Sequence, residues 1–277
     1  MSENQAPARP QKSREEGREL KLLHWIYSQP NLDSIRGNPQ KVLELIDEFS
    51  QTYHFMTVGQ EKGPIVTELV DKHKPKTMIE LGCYIGYSAI LFGNAVRSNG
   101  GTRYYSLELN PEFAAIANML VELAGLRDFV RILVGRSDVL LNQLFGSGEV
   151  ELVELLFIDH YKPAYTLDLK LCEQLGKIVP GVSVIAADNV IRPGNPPYLE
   201  YVRSSVDKKR EAAAKGPSKA YTTEGFEERT VRSFMGVDSV PKFEIVGNPN
   251  LVYESVLRQP DGCPDAVEVT RCVGIQK

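Results

Sequence analysis

The sequence predicts an α/β fold on a doubly wound, mostly parallel sheet, and three observations carry that expectation. From Lys76 to Ala187, short apolar runs alternate with helix-patterned stretches, the order that produces βαβ units. The first run (Met78, Ile79, Leu81) ends in Gly82-Cys83-Tyr84-Ile85-Gly86, and a helical pattern begins at Tyr87-Ser88. Strand, glycine turn and helix start is the way such folds present backbone N–H groups to a ligand. Finally, 277 residues, 42% hydrophobic and 25% charged, suffice for one large domain with a full core.

Taken in order, residues 1–17 are polar and Pro-rich and read as a disordered tail preceding a single domain over 18–277. From Arg18 a helix carries Leu20, Leu23, His24 and Tyr27 at spacings of three and four. A second runs Pro39–Tyr53 behind an Asn38 cap, with Val42, Leu45, Ile46 and Phe49 on its apolar face. After the apolar stretch 54–59, a third spans Gly63–His73, and these helices are expected to cap the sheet. Strands are placed at Thr77–Leu81, Arg103–Glu108, Val130–Val134, Leu155–Ile158 and Ser183–Ala187. Helices fall between them at Tyr87–Arg97, Pro111–Leu123, Asp138–Phe145 and Tyr165–Lys177, and Asn110-Pro111-Glu112 is a strong helix start. The tail reads as β at Lys242–Val246, Leu251–Leu257 and Val267–Val273, an antiparallel pair closing one sheet edge. Ahead of this tail, 204–240 is a charged insertion without an apolar stripe.

Composition excludes several classes. A net charge of −4 argues against a broad nucleic-acid footprint. Cys83, Cys172, Cys263 and Cys272 are scattered, which suits neither a disulfide framework nor a zinc site. No secretory signal or membrane-length apolar run is present, so a cytoplasmic protein without membrane or nucleic-acid partners is expected, a monomer or weak dimer.

The chemistry concentrates at strand ends. G-x-x-x-G is not the dinucleotide fingerprint and also arises by chance. Glu80 before it and Glu108 at the tip of the second strand sharpen it, because an acid there can bind both ribose hydroxyls. A nucleoside cofactor without pyrophosphate, such as S-adenosylmethionine, fits. Strand four ends in Asp159-His160-Tyr161-Lys162 and strand five in Asp188-Asn189. Two carboxylates and an amide supply three oxygens to Mg2+, leaving room for a bidentate substrate with neighbouring hydroxyls and one water. Lys162 lies close enough to take a hydroxyl proton. The competing reading makes Asp159 and Asp188 turn caps. His160 either lines the cofactor or is structural, Cys83 reads as packing, and His24 and His73 as surface or packing residues.

The stretches IELGCYIGYSAI, SLELNPEFAAIA, ILVGRSD, LLFIDHYKPAY and AADNVIRPGNPPYLEYVR together resemble the catechol O-methyltransferase family, as does NPQKVLELIDEF through HFMTVGQEKG. The similarity runs from about Leu20 to Arg203 and resumes near Phe243. It implies a class I, Rossmann-like methyltransferase fold using S-adenosylmethionine and Mg2+ on a catechol. It carries the metal roles onto Asp159, Asp188 and Asn189, and the base role onto Lys162. Cofactor contacts fall on Met56, Val58, Gly82, Tyr84, Ser88, Glu108, Leu109, Ser137, Asp138, Asp159 and His160. Substrate contacts fall on His54, Tyr161, Lys162, Asn189, Pro193 and Glu254. The family has Trp at the positions of His54 and Tyr161 and Gln at that of Asp138. Its acid for the second catechol hydroxyl aligns with Glu254, with Glu244 as the alternative. The insertion exceeds the family pattern and is read as a solvated excursion, with a lid as the alternative. Three rivals remain: methylation of a caffeoyl- or flavonoid-type diol, a non-catalytic cofactor- or partner-binding protein, and a nucleotide-dependent oxidoreductase lacking the glycine fingerprint.

Overall fold

Strands buried on both faces lose the polar–apolar alternation of a half-exposed sheet and read as short apolar runs. The central strands here are of that kind. A computed structural model describes residues 16–234 and 240–277. The expected tail therefore lies almost wholly outside the described residues, and 235–239 of the expected insertion lie outside them too. Five parallel strands, β1 (Thr77–Leu81), β2 (Arg103–Glu108), β3 (Val130–Val134), β4 (Leu155–Ile158) and β5 (Val184–Ala187), join an antiparallel hairpin of β6 (Leu251–Arg258) and β7 (Val267–Ile275). The order is β3-β2-β1-β4-β5-β7-β6, with β7 antiparallel to both β5 and β6. This is the expected doubly wound α/β fold with an antiparallel edge. Strand order reverses between β1 and β4, and open sheets of this kind bind ligands in the crevice at the carboxyl ends of such strands.

Helices α1 (Arg18–Tyr27), α2 (Leu32–Ile35), α3 (Pro39–Phe49), α4 (Gly59–His73), α5 (Tyr87–Ser98) and α6 (Pro111–Leu123) contribute to the apolar core on one face. Helices α7 (Ser137–Gly146), α8 (Tyr165–Gln174) and α9 (Pro196–Arg203) cover the other, while α10 (Val206–Ala213) and α11 (Glu228–Ser233) lie in the expected insertion. Alternation along β1 sends Met78 into the first core and Ile79 and Leu81 into the second. Asn110 caps α6 by accepting from the N–H groups of Glu112 and Phe113 at 2.8 and 3.3 Å.

The structure corrects the expected elements in several places. The core face of α1 is Leu22, Leu23 and Ile26, while Leu20 is exposed. Helix α3 stops at Phe49, and α4 starts four residues earlier than expected, at Gly59. Residues 242–246 form no strand: Ile245 makes one isolated bridge to Ser218, because the free edge of β5 is already taken by β7.

The insertion is held by buried polar chemistry. Ser205 caps α10, and the buried Lys209 ammonium donates to the Leu251 carbonyl and lies 4.4 Å from the centre of the Tyr253 ring. Nearby, buried Glu173 accepts from Tyr201 and Tyr253 hydroxyls at 2.6 and 2.5 Å and from the Asn248 N–H at 3.0 Å. These contacts tie α8, α9, α10 and β6 together, so the charged segment is partly built into the second core.

Glu80 is the polar exception inside the sheet. It is fully buried, with the Ser106 hydroxyl donating at 2.6 Å, and burial pushes its carboxyl up to about 7. A native pKa above the unfolded value favours the protonated native state. That contribution is complete below about pH 4 and is lost as pH rises through 7. Glu80→Gln, which mimics the protonated form, should gain roughly 3 kcal/mol relative to wild type between pH 4 and pH 8. Urea denaturation across that range checks it; a pH-independent difference would assign Glu80 an ordinary pKa.

Candidate active site

The crevice is shaped first by the glycine turn after β1. Gly82 has φ +88°, and a Cβ there would lie 2.8 Å from the Asp159 carbonyl oxygen and 2.9 Å from His160 Cα. Backbone atoms cannot yield as a flexible side chain does, so only glycine fits. Both oxygens of Glu108, at the tip of β2, bind backbone: the N–H of Tyr84 donates to Oε2 at 2.8 Å and that of Asn110 to Oε1 at 2.9 Å. The carboxylate thereby braces the turn and retains further lone pairs for a diol. Met56 and Leu109 are more than half exposed, and Ile191 is also exposed, at the ends of the segments that border this crevice. Val58 is buried, and Ser88 nearly so at the start of α5. Ser137 opens α7 past the end of β3.

Across the switch point, the loops after β4 and β5 carry the acids. Lys162 Nζ donates to Asp159 Oδ1 at 2.7 Å and lies 2.7 Å from the Tyr165 hydroxyl. Its carbonyl accepts from Asn195 Nδ2 at 2.8 Å, which anchors the turn beside α9. Asp188 is buried. Burial and the neighbouring Asp159 charge push its carboxyl up to about 7, against the pull of Lys62 and Lys162. Asn189 follows with φ +57° and donates its amide N–H to Asp265 Oδ2 at 2.7 Å, leaving the amide oxygen as acceptor.

Two residues that sequence reasoning missed complete this centre. Lys62, on α4, donates to Asp188 Oδ1 and to Asp265 Oδ2, both at 2.6 Å. Asp265, just before β7, also accepts from the N–H groups of Ile191 and Arg192 at 3.3 and 2.8 Å, and so holds the loop that bears Pro193. Their separations in sequence, 126 and 203 residues from Lys62 to its two acids, leave no local signal.

The donor set suits a hard cation. Asp159 and Asp188 each give one oxygen to a lysine and keep the other, and Asn189 keeps its carbonyl. These are three oxygens on adjacent loops where mutual repulsion of two carboxylates calls for positive charge. No group of three or more His, Cys, Asp or Glu suited to a metal occurs among the described residues, so any ion depends on the Asn189 amide and on ligands from outside the chain.

Other expected site residues are placed differently. The His160 ring stacks on Tyr165 at 5.2 Å, with Nε2 2.6 Å from Asp168 Oδ2, while its buried Nδ1 has no partner among the described residues. Tyr84 presents its backbone N–H at the turn, but its hydroxyl is spent on Glu19 of α1. Asp138 is fully buried. Its carboxylate accepts from Arg136 at 3.0 and 2.9 Å and from the N–H groups of Val139 and Lys242 at 2.9 Å each, so it braces the start of α7 instead of facing the crevice.

Glu254 is not at the crevice at all. It pairs in register with Arg271, which stands opposite Val184 at the start of β5, whereas Asp188 follows the end of that strand. Its carboxylate is exposed and bound to Arg271 at 2.7 Å. Glu244, the alternative, is exposed, and its carbonyl binds Gln174 at the far end of α8. The acid level with Ala187 is Glu268, and both of its oxygens are taken by Arg203 at 2.7 Å. His54 lies half-buried in the stretch before α4, and Pro193 is exposed. Cys83 is a buried thiol whose pKa burial drives well up, which fits packing and not nucleophilic chemistry.

With this geometry, comparison with known proteins is informative. Residues 35–204 match the family model described as O-methyltransferase. The chain is 41% identical to mouse catechol O-methyltransferase over 170 residues, covering 61% of this chain and 63% of the mouse protein. It is 40% identical to the pig catechol O-methyltransferase over 148 residues, covering 53% of this chain and 78% of that protein. The chain thus spans less than two thirds of the mouse relative's length. An O-methyltransferase from Bacillus cereus, solved in complex with SAH, superposes with a TM-score of 0.54 at 20% identity, over 93% of this chain and 97% of that one, a likeness of fold. Among the described residues, no helix is long and apolar enough to cross a membrane.

The bridge at Lys62 yields a direct expectation. Lys62→Met strips the buried Asp188–Asp265 pair of its shared counter-charge and should cost about 3–5 kcal/mol of stability. Chemical denaturation in the presence of a chelator would measure this, and a loss below about 1 kcal/mol would show that solvent screens the pair. By matched sequence, by fold and by the residues at the strand ends, the chain belongs to the catechol O-methyltransferase family of O-methyltransferases.

Proposed function

We propose that the chain transfers the methyl group of S-adenosylmethionine to one hydroxyl of a catechol, with Mg2+ held by Asp159, Asp188 and Asn189. The observation that carries this reading is the juxtaposition, on the loops after β4 and β5, of Asp159, Asp188, Asn189 and a lysine hydrogen-bonded to the first of them. Mg2+ would take both catechol oxygens and lower the pKa of the hydroxyl to be methylated.

The chain's own groups supply the rest. Lys162 is the group that accepts the hydroxyl proton at Nζ; Asp159 and the Tyr165 hydroxyl hold that nitrogen in place. The glycine turn and Glu108 orient the nucleoside, Glu108 accepting from the ribose hydroxyls. The buried tips of β1 and β4 exclude water from the sulfonium. S-adenosylmethionine, held by the glycine turn and Glu108, would supply the methyl group to the ionised oxygen and would leave as S-adenosylhomocysteine. No covalent enzyme intermediate is required, so positioning accounts for much of the rate. Asp138, sequestered by Arg136, is assigned to structure and not to adenine. The second catechol oxygen is left to the cation and to the loop carrying Pro193, in place of Glu254.

Lys162→Ala should lower kcat by roughly 10²–10⁴, and the deficit should shrink at high pH as the substrate ionises unaided. Asp188→Ala should abolish transfer while the binding of S-adenosylhomocysteine, measured by calorimetry, stays largely intact. A methyl-transfer assay on a panel of catechols, with and without Mg2+, tests the whole reading. Full turnover after exhaustive chelation would reject the metal, and no transfer to any catechol would reject the substrate class.

A further inference from the structure

The family match ends at residue 204, and the described residues after it include three clustered aromatic side chains, two of which meet Tyr161. Tyr161, between Asp159 and Lys162 in sequence, meets Tyr221 edge-on with centroids 5.9 Å apart and Phe234 edge-on at 5.3 Å. Phe226 meets Phe234 in turn at 5.4 Å. The rings form a continuous surface leading away from the residue next to the candidate base.

Two anchors hold that surface in position. Arg136 Nη2, on the side chain that clamps Asp138, donates to the Tyr221 hydroxyl at 3.2 Å and to the Val240 carbonyl at 2.9 Å. On the other flank, Gly225 has φ +79° and packs so closely that a Cβ would lie 3.1 Å from Pro196 Cβ. Pro196 follows Asn195, whose amide holds the Lys162 carbonyl. The segment therefore rests on the loops after β3 and β5 as well as on Tyr161.

Burial separates the roles of these rings. Tyr221 is buried and serves as the post, whereas Tyr161, Phe226 and Phe234 are only half-buried. In a stretch otherwise mostly polar and charged, aromatic side chains that did no more than anchor the segment would bury themselves fully. Rings that stay half open against Tyr161, the residue between Asp159 and Lys162 in the chain, offer π-surface to a ligand.

We propose that Phe226 and Phe234, with Tyr161, form a specificity wall that binds a second aryl ring carried by the catechol. This rests on the function proposed above and names the substrate class more closely: catechols extended by an aromatic substituent, in preference to the bare ring. Because Phe226 and Phe234 lie outside the matched region, the preference is this chain's own and need not follow that of its relatives.

The test compares 4-phenylcatechol with catechol as methyl acceptors for wild type, Phe226→Ala and Phe234→Leu. The ratio of kcat/KM for the two acceptors should favour 4-phenylcatechol in wild type. It should fall roughly three- to tenfold in Phe226→Ala, the size of one lost aromatic contact, and the fall should sit in KM. Phe234→Leu, which keeps apolar bulk, should lose less. Calorimetric binding of 4-phenylcatechol to enzyme loaded with S-adenosylhomocysteine and Mg2+ should weaken by the same factor. A ratio unchanged in Phe226→Ala, with or without a lower melting temperature, would overturn the wall while leaving the methyltransferase reading intact. Failure of wild type to methylate either acceptor would overturn both.

Discussion

Asp188 is withdrawn from water at the end of β5, and a carboxylate in that position needs a cation. The Lys62 ammonium provides it and at the same time binds Asp265, so that one buried charge joins α4, the β5 tip and the entry to β7. Leaving either acid unpaired would cost several kcal/mol, a large fraction of a domain's net stability. Much of the crevice follows from this knot. Asp265 turns the Asn189 amide and receives the backbone of Ile191 and Arg192, which sets the path of the loop toward Asn195 and α9. Asn195 then holds the Lys162 carbonyl, so the candidate base is placed, two steps removed, by the same charge. Catalytic geometry and N-terminal packing are thus parts of one electrostatic arrangement.

The two halves of the crevice differ in how they are built. On the cofactor side, backbone does most of the work: Gly82 is pressed against Asp159 and His160, and Glu108 is locked by two N–H groups. On the substrate side, side-chain charges dominate, two acids near two lysines. Backbone cradles tolerate little change in residue type but ask nothing of pH. Charge clusters respond to ions and protons, which is what the proposed ionisation of a hydroxyl would need. The raised pKa of Asp188 reflects that tension, two carboxylates kept close by counter-charges that a divalent cation can supplement or replace.

How much was legible in the sequence follows from whether the signal was local. β1 to β4 fall where their apolar runs predict, because a short apolar run between turn and helix signals is a local pattern. The strand-end residues Asp159, Lys162, Asp188 and Asn189 were visible for the same reason: an acid just past an apolar run is a local pattern. Lys62 was not visible, since GQEKGPIV reads as an ordinary helix start with a solvated cation. Asp265 sits in CPDA and reads as a surface turn. Helix α1 misled because Leu20, Leu22, Leu23, Ile26 and Tyr27 satisfy two helical faces, and only packing against α3 and α6 selects Leu22, Leu23 and Ile26. Glu254 misled for a different reason. Its neighbours fit a strand, but the level at which that strand meets β7 depends on a bulge between Val252 and Tyr253 and on the length of the turn that follows.

The charged insertion shows the same limit on a larger scale. Its sequence has no stripe of apolar residues because its helix α10 buries only Val206 and the Lys209 side chain. It attaches through separate points: Lys209 on the Leu251 carbonyl, Tyr221 under Arg136, Gly225 against Pro196. Each contact joins a residue to a partner distant in sequence, so hydrophobic periodicity is blind to all of them. What periodicity reads as a solvated excursion is, in three dimensions, a strap whose aromatic side chains lie against Tyr161, beside the chemistry. A segment fixed by a few polar anchors and one aromatic cluster can change its exposed rings without disturbing the sheet beneath. The knot at Lys62 and the cradle at Gly82 cannot change in that way, since each is packed or paired on every side. On the proposed reading, substrate preference sits where substitutions are cheap, and the methyl-transfer geometry where they are not.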